Sequence, residues 1–169
     1  MTQAYAKYTL FKSGGCKNSR LLDEAISIYK DVRRLAKTPT ASDIPAVIRA
    51  EIGLTECHRE LSHRYRYLPP QKLEHIDTAA QFIGHALMLA EQVGDKDLIW
   101  RARLEGAVIR ARRAILISKP AAPGDVEVKA AVTAAKEEMT RLKDTPEVAG
   151  YKDFEKWLDL WLDRLPKTI

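Results

Sequence analysis

Hydrophobic positions along this chain recur with the 3.6-residue period of α-helices. Stretches with this spacing alternate with short breaks that contain proline or glycine, such as Gly14-Gly15, Pro39 and Pro69-Pro70. The pattern predicts an all-α fold of about seven helices arranged in antiparallel hairpins. The first predicted helix covers Thr2–Lys12, and its aromatic side chains are expected to be buried anchors: Tyr5, Tyr8 and Phe11.

Residues 74–118 form the longest predicted hairpin, which we expect to be the centre of the fold. Apolar residues of the first arm, EHIDTAAQFIGHALMLAEQV, cover about half of a helix circumference, so this arm is predicted to be mostly buried. Gly94 suits a left-handed helix end, and Asp95 suits the N-cap of the next helix. The link is so short that the two arms must be antiparallel neighbours.

The second arm of this hairpin carries two separate apolar stripes. Arginines lie between the stripes, with Arg101 and Arg112 in one gap and Arg103 and Arg110 in the other. A helix with two apolar stripes needs two packing partners, which is typical of an inner helix in a stack of helical hairpins.

Part of this hairpin resembles the tetratricopeptide class of helical repeats, over residues 75–115. The matching positions are Leu89-Ala90, Gly94-Asp95, Ala102 and Leu104-x-Gly106. The resemblance implies a right-handed solenoid, and a compact helical bundle is the alternative. The chain departs from the family pattern because its helices look longer than a 34-residue repeat permits, and no tight turn follows Gly106.

A weak internal repeat of about 53 residues also runs through the chain. Residues 19–36 can be laid over the first arm of the hairpin, and Gly53 and Gly106 then occupy similar mid-helix positions. A mid-helix glycine costs about 1 kcal/mol relative to alanine. We therefore expect close helix packing at both glycines.

Residues 1–169 are predicted to form one helical-repeat domain that ends in an amphipathic helix over 151–165. The apolar stripe of this helix leaves only Leu160 out of place, and it comprises Tyr151, Phe154, Trp157, Leu158, Trp161, Leu162 and Leu165. We expect the helix to cap the core. The alternative is that its aromatic face docks a partner or a second copy of the chain, giving a homo-oligomer.

Charge and cysteine content narrow the class of protein only a little. The net charge of +5 permits an acidic partner without requiring one. No apolar run is long enough to span a membrane, so no membrane association is expected. Cys16 and Cys57 match no metal-site spacing and are predicted to be free thiols, which favours a cytoplasmic or nuclear location.

The sequence predicts neither an enzyme nor a cofactor or metal protein. Glu60-Leu-Ser-His63 matches one Glu-x-x-His element of di-iron bundles, but no second copy exists, so a solvent-facing or capping role is expected for His63. No nucleophile elbow, phosphate loop, dinucleotide fingerprint or paired-carboxylate motif occurs. A small helical enzyme or ligand-binding bundle is therefore only the third hypothesis.

The first hypothesis is a non-enzymatic interaction module, or adaptor, that holds an acidic or amphipathic segment of another protein in a groove between helices. Its expected groove residues come from both arms of the hairpin: Arg101, Arg103, Arg110, Arg113, Gln81 and His85. The competing interpretation of the arginines is salt bridging to acidic residues of neighbouring helices.

The second hypothesis is a nucleic-acid (RNA)-binding module that uses the basic surface of residues 59–113. Arg64, Tyr65, Arg66 and Tyr67 mix charge with aromatic rings, as RNA-binding surfaces do. The simpler interpretation is a basic helix C-terminus, where cations favour the helix dipole and tyrosines pack inward.

Overall fold

The computed structural model describes residues 2–15, 18–35, 43–63, 68–119, 125–145 and 152–166. These residues form seven α-helices and no strand, which confirms the predicted all-α fold. The helices are α1 (Thr2–Ser13), α2 (Ser19–Leu35), α3 (Ile44–Ser62), α4 (Pro69–Val93), α5 (Lys96–Ser118), α6 (Val126–Lys143) and α7 (Lys152–Arg164).

Local side-chain caps set the starts of α2 and α6. Asn18 Oδ1 accepts a hydrogen bond from the backbone N–H of Arg20 at 3.2 Å. Asp125 Oδ1 accepts from the N–H of Val128 at 3.2 Å. These bonds satisfy backbone donors that have no partner within the helix. The proline pair Pro69-Pro70 is expected from the sequence to end the preceding helix. In the structure α3 ends at Ser62, and Pro69 is the first residue of α4, where its missing N–H costs nothing.

The turn between α4 and α5 has the predicted geometry. Gly94 has a φ of 69°, in the left-handed region, and its N–H donates to the carbonyl of Ala90 at 3.0 Å. Asp95 Oδ1 then accepts from the N–H of Leu98 at 3.0 Å. The two helices therefore reverse direction within two residues and pack side by side.

Each helix packs against the next one in the chain, and odd-numbered neighbours also meet, α3 with α5 and α5 with α7. The arrangement is that of stacked helical hairpins. None of the described helices is both long enough and apolar enough to cross a membrane.

The most enclosed helix is α3, not the first arm of the predicted central hairpin. Every residue from Val47 to Cys57 except Arg49 is buried, because α3 packs against α2, α4 and α5. In α4, by contrast, only one narrow stripe is buried, and Ala80 and Met88 are exposed. The expectation that α4 is mostly buried is wrong because it packs only on its α3 and α5 sides.

The second arm, α5, has the two packing faces that its stripes predict. Leu104, Val108 and Ala111 join the core formed with α6 and α7. Leu98 and Ala102 belong to a second core, which includes Ile48 of α3. This helix therefore connects the two halves of the fold.

The two mid-helix glycines have different environments, although both were expected to mark close packing. A Cβ on Gly53 would lie 2.3 Å from Cζ of the buried Tyr29 ring. A Cβ on Gly106 would meet nothing closer than Arg110 at 3.8 Å, which is an ordinary contact. The prediction is confirmed at Gly53 and wrong at Gly106.

The described side chains of the terminal helices follow their predicted stripes with one exception. In α1, Tyr8 and Phe11 are buried, but Tyr5 is 56% exposed and Ala4 takes the inward position. In α7, Leu158 and Trp161 pack on α5 and α6, while Leu160 is exposed as predicted. Tyr151 lies outside the described residues.

Candidate functional site

Charged side chains converge on the buried helix α3. Glu51, Glu56 and Glu60 of α3 and Glu105 of α5 are all buried. A buried carboxylate is tolerated only when a cation or several hydrogen bonds compensate for the lost hydration. The partners of these four groups therefore define the electrostatics of the molecule.

Glu51 is fully buried and has two partners from neighbouring helices. Arg33 Nε of α2 donates to its Oε1 at 2.9 Å, and His85 Nδ1 of α4 donates to its Oε2 at 2.6 Å. The Arg33 guanidinium also lies over the Phe82 ring, with its carbon 5.2 Å from the ring centroid. This carboxylate ties α2, α3 and α4 together.

Arg59 is the central cation of the second group of charges. Its side chain is 13% exposed and forms an ion pair with Glu105. Oε1 of Glu60 lies 3.8 Å from Nη2 of Arg59. Burial is the largest single effect and opposes the charge, but Glu105, Tyr8 and Glu60 together outweigh it and raise the pKa of Arg59. Lys12 of α1 donates to Glu60 Oε1 at 2.8 Å, which links α1 to the same group.

Two neighbours of Arg59, Tyr8 and Glu56, have raised pKa values. Burial raises the pKa of the Tyr8 hydroxyl far above its usual range. The pKa of Glu56 is raised by burial and then by the charge of Glu105, while Arg101 opposes this shift with a contact of 3.1 Å. Both groups hold their protons more tightly than they would in water.

The six predicted groove residues do not lie on one surface. All four arginines are ion-paired: Arg101 with Glu56, Arg103 with Glu91, Arg110 with Glu138 and Arg113 with Asp77. Arg101 faces α3, and His85 is engaged with Glu51, whereas Gln81 is an exposed residue of α4. Salt bridging, the competing interpretation, accounts for every arginine in the set.

Arg103 and Arg110 do share one surface, as their spacing predicts. They line a cleft of about 470 Å³ together with Leu87 and Glu91 of α4 and with Ala134, Glu138 and Arg141 of α6. We call this cleft the α4–α6 furrow. The side chains of Arg103 and Arg110 are about half-exposed, and each guanidinium has N–H groups that its carboxylate contact does not use.

A second cleft, of about 400 Å³, lies where α1, α3 and α7 approach one another, and we call it the α7 cleft. Sequence reasoning did not find it, because its walls come from opposite ends of the chain. Its lining residues are Lys12, Arg59, Glu60, His63, Trp157, Leu160, Trp161 and Arg164.

The positive charge of the α7 cleft extends behind its lining. Arg112 Nη2 donates to the Ser62 carbonyl at 3.2 Å, which caps the C-terminal end of α3. Burial and then the charge of Arg164 lower the pKa of Arg112. His63, the C-cap residue of α3, has its pKa lowered to about 4 by burial and then by Arg112, so it is neutral at pH 7. This position agrees with the solvent-facing or capping role expected for His63.

Within the described residues, no group of three or more histidine, cysteine or acidic side chains is placed to hold a metal ion. Arg64, Tyr65, Arg66 and Tyr67, proposed from the sequence as a nucleic-acid surface, lie outside the described residues. Cys57 is a buried free thiol, as predicted, and burial raises its pKa.

His58 and His75 form a contact that the sequence did not suggest. Their Nδ1 atoms are 3.3 Å apart, and Nε2 of His58 is buried without a hydrogen-bond partner in the described part of the chain. Burial, followed by the charges of His75 and Lys30, lowers the pKa of His58 to about 4. His58 is therefore neutral in the folded protein at pH 5.

This shift predicts a loss of stability in mild acid. Between pH 6.5 and pH 4, His58 is protonated in the unfolded chain but not in the folded chain. The free energy of unfolding therefore decreases as the pH is lowered. We expect His58→Leu to remove about 1–2 kcal/mol of the decrease between pH 7 and pH 5, after allowance for partial exposure of the imidazole. Urea titrations of both proteins at the two pH values measure the difference.

Subtracting the two curves also cancels Glu56, whose raised pKa acts in the opposite direction. Equal acid sensitivity of the wild type and the His58→Leu variant would show that this imidazole is protonated in the folded state.

Comparison with known proteins identifies no relative: no family model, no curated protein and no solved structure matches this chain. The resemblance of residues 75–115 to tetratricopeptide repeats therefore stays a prediction.

Proposed function

We propose that the protein is a non-enzymatic interaction module that binds an amphipathic, acidic helix of a partner protein in the α4–α6 furrow. The supporting observation is that this furrow combines apolar wall residues with half-exposed guanidiniums. Arg103, Arg110 and Arg141 face only two carboxylates there, Glu91 and Glu138. An acidic residue of a partner would complement the remaining positive charge.

The shape of the furrow also suits a helix. α4 and α6 flank α5, and the facing positions Leu87 and Ala134 offer apolar surface between the charged pairs. A helix with apolar residues on one face and acidic residues beside them would cover Leu87 and Ala134 and meet the guanidiniums. The tetratricopeptide-like pattern of residues 75–115 implies the same class of function.

We expect Ala134→Trp to abolish capture of the partner, because Ala134 is exposed and an indole there fills the furrow without disturbing the core. Immobilised protein is exposed to a nuclease-treated lysate of its own source at moderate salt, and retained polypeptides are identified. Thr140→Trp is the matched control, since Thr140 is an exposed residue of the same helix outside the furrow.

The proposal requires a polypeptide that the wild type and Thr140→Trp retain and that Ala134→Trp retains at least about tenfold less. Retention that disappears with nuclease, or falls steeply with modest salt, would instead support the nucleic-acid hypothesis. A polypeptide retained equally by all three proteins would place the binding surface elsewhere.

A further inference from the structure

We propose that the α7 cleft is a binding site for a small organic phosphate, in which the guanidiniums hold the phosphate group and Trp157 and Leu160 contact an attached apolar ring. The site shares no lining residue with the α4–α6 furrow. It is therefore a second binding activity, and its test does not depend on whether the α4–α6 furrow binds a partner helix.

Charge is the first argument. Lys12, Arg59 and Arg164 line the cleft together with the carboxylate of Glu60. One more cation, Arg112, and one more carboxylate, Glu105, lie behind this lining. The difference of four positive and two negative charges leaves +2. A phosphate monoester carries close to two negative charges at pH 7, so it neutralises this excess.

The second argument is that two of these cations have no acidic partner. Lys12 and Arg59 are paired with the carboxylates, but neither Arg112 nor Arg164 forms an ion pair among the described residues. Arg112 is occupied on one side by the Ser62 carbonyl at 3.2 Å. Arg164 has no such role, since its guanidinium carbon lies over the Trp161 ring, 5.2 Å from the centroid. Stacking leaves the edge of a guanidinium free for bidentate bonding to phosphate.

The third argument is the apolar surface beside Arg164. Leu160 is 56% exposed, and Trp157 is half-buried with its ring centroid 6.4 Å from that of Trp161. An exposed leucine and a half-buried tryptophan beside the guanidinium of Arg164 form a site with one apolar end and one charged end. The volume of about 400 Å³ lies within the range usual for small-molecule sites.

The walls of the site are held in place without a ligand. Lys12 and Arg59 both reach Glu60, at 2.8 Å and 3.8 Å, and Arg59 also binds Glu105. These bonds fix α1, α3 and α5 relative to one another. Little ordering of the α1 and α3 walls is therefore required when a ligand enters, and preorganisation of this kind favours binding.

The test is a titration with phenyl phosphate, followed by tryptophan fluorescence, because two of the three tryptophans line the cleft. We expect a saturable change below about 10 mM ligand. Arg164→Gln should weaken binding at least about tenfold, since it removes a charge-assisted bond to the phosphate. Arg20→Gln removes the same charge at a position that is 86% exposed on α2, and it should leave the affinity unchanged.

A second variant tests the apolar end of the site. Leu160→Ser should weaken phenyl phosphate severalfold but leave the weaker binding of inorganic phosphate unchanged, and its exposure makes the substitution harmless to the core. Titration with benzoate distinguishes phosphate from carboxylate recognition, and we expect weaker binding because benzoate carries one charge. Benzoate binding as tightly as phenyl phosphate would overturn the assignment of a phosphate.

Three other results would also overturn the proposal. The first is the absence of a saturable signal with phenyl phosphate in the wild type. The second is equal loss of affinity in Arg164→Gln and Arg20→Gln, which would show attraction by overall charge. The third is tight, Arg164-dependent binding of a single-stranded RNA oligonucleotide with no binding of phenyl phosphate, which would assign the cleft to nucleic acid.

Discussion

Replacing Arg59 with methionine should lower the free energy of unfolding by about 3–5 kcal/mol, the cost of leaving a buried charge without its partner. Arg59 forms the ion pair with Glu105, and Glu60 and Lys12 adjoin that pair. Methionine matches the length of the arginine stem, so little packing is lost and the effect is mainly electrostatic. Urea denaturation at pH 7 measures it.

The position of Arg59 explains why the cost is large. Its side chain is only 13% exposed among Tyr8, Glu60 and Glu105, so water would replace the missing guanidinium only in part. The carboxylate of Glu105 would then either remain charged at a high desolvation cost or take up a proton. In the second case the variant should recover stability as the pH falls towards 5, relative to the wild type.

Two further variants serve as controls for this prediction. Arg20→Met breaks an exposed ion pair, 2.9 Å to Glu24, and should cost less than about 1 kcal/mol. The double variant Arg59→Met/Glu105→Met removes both charges and should recover most of the loss. If Arg59→Met costs no more than Arg20→Met, the buried pair does not hold α3 and α5 together.

Helix boundaries could be predicted from the sequence because their causes are local. Asn18, Gly94, Asp95 and Asp125 act on backbone groups within four residues, so their roles can be derived from the order of residues alone. The two stripes of α5 were equally accessible, since helical geometry fixes which side chains share a face.

The burial of α3 could not be predicted from the sequence in the same way. Glu51, Glu56, Arg59 and Glu60 are residue types that usually face solvent, and their partners lie far away in the chain. Arg59 and Glu105, for example, are separated by 46 positions. A signal did exist: Ile48, Ala50, Ile52, Leu54 and Cys57 alternate with these charges around the whole helix, which a helix with one solvent face would not require.

The candidate sites show the same difference between features with local causes and features that depend on distant parts of the chain. Arg103 and Arg110 belong to one surface because they are two helical turns apart, and the sequence is sufficient for that conclusion. The pairing of Arg110 with Glu138, and the separate environment of Arg101, depend on how α5 packs between other helices. The α7 cleft joins Lys12, His63 and Arg164, which no periodicity relates.

Replacing Gly53 with alanine should destabilise the protein by about 1–3 kcal/mol, although alanine is the better helix former. The added Cβ would lie 2.3 Å from Cζ and 2.6 Å from Cε2 of Tyr29. That ring is buried with 2% exposure, so it cannot move aside without displacing its neighbours in the core of α1, α2 and α3. Thermal or urea denaturation gives the change in free energy.

Gly106→Ala is the matched control, because Gly106 is also buried and mid-helix but would bring its Cβ no closer than 3.8 Å to another side chain. We expect this variant to gain about 0.5–1 kcal/mol from helix propensity alone. In the double variant Tyr29→Leu/Gly53→Ala, the overlap with the ring is absent, so the two changes should cost less together than the sum of the single variants. Equal effects of alanine at Gly53 and Gly106, or strict additivity with Tyr29→Leu, would show that the approach of α2 to α3 does not depend on the missing side chain.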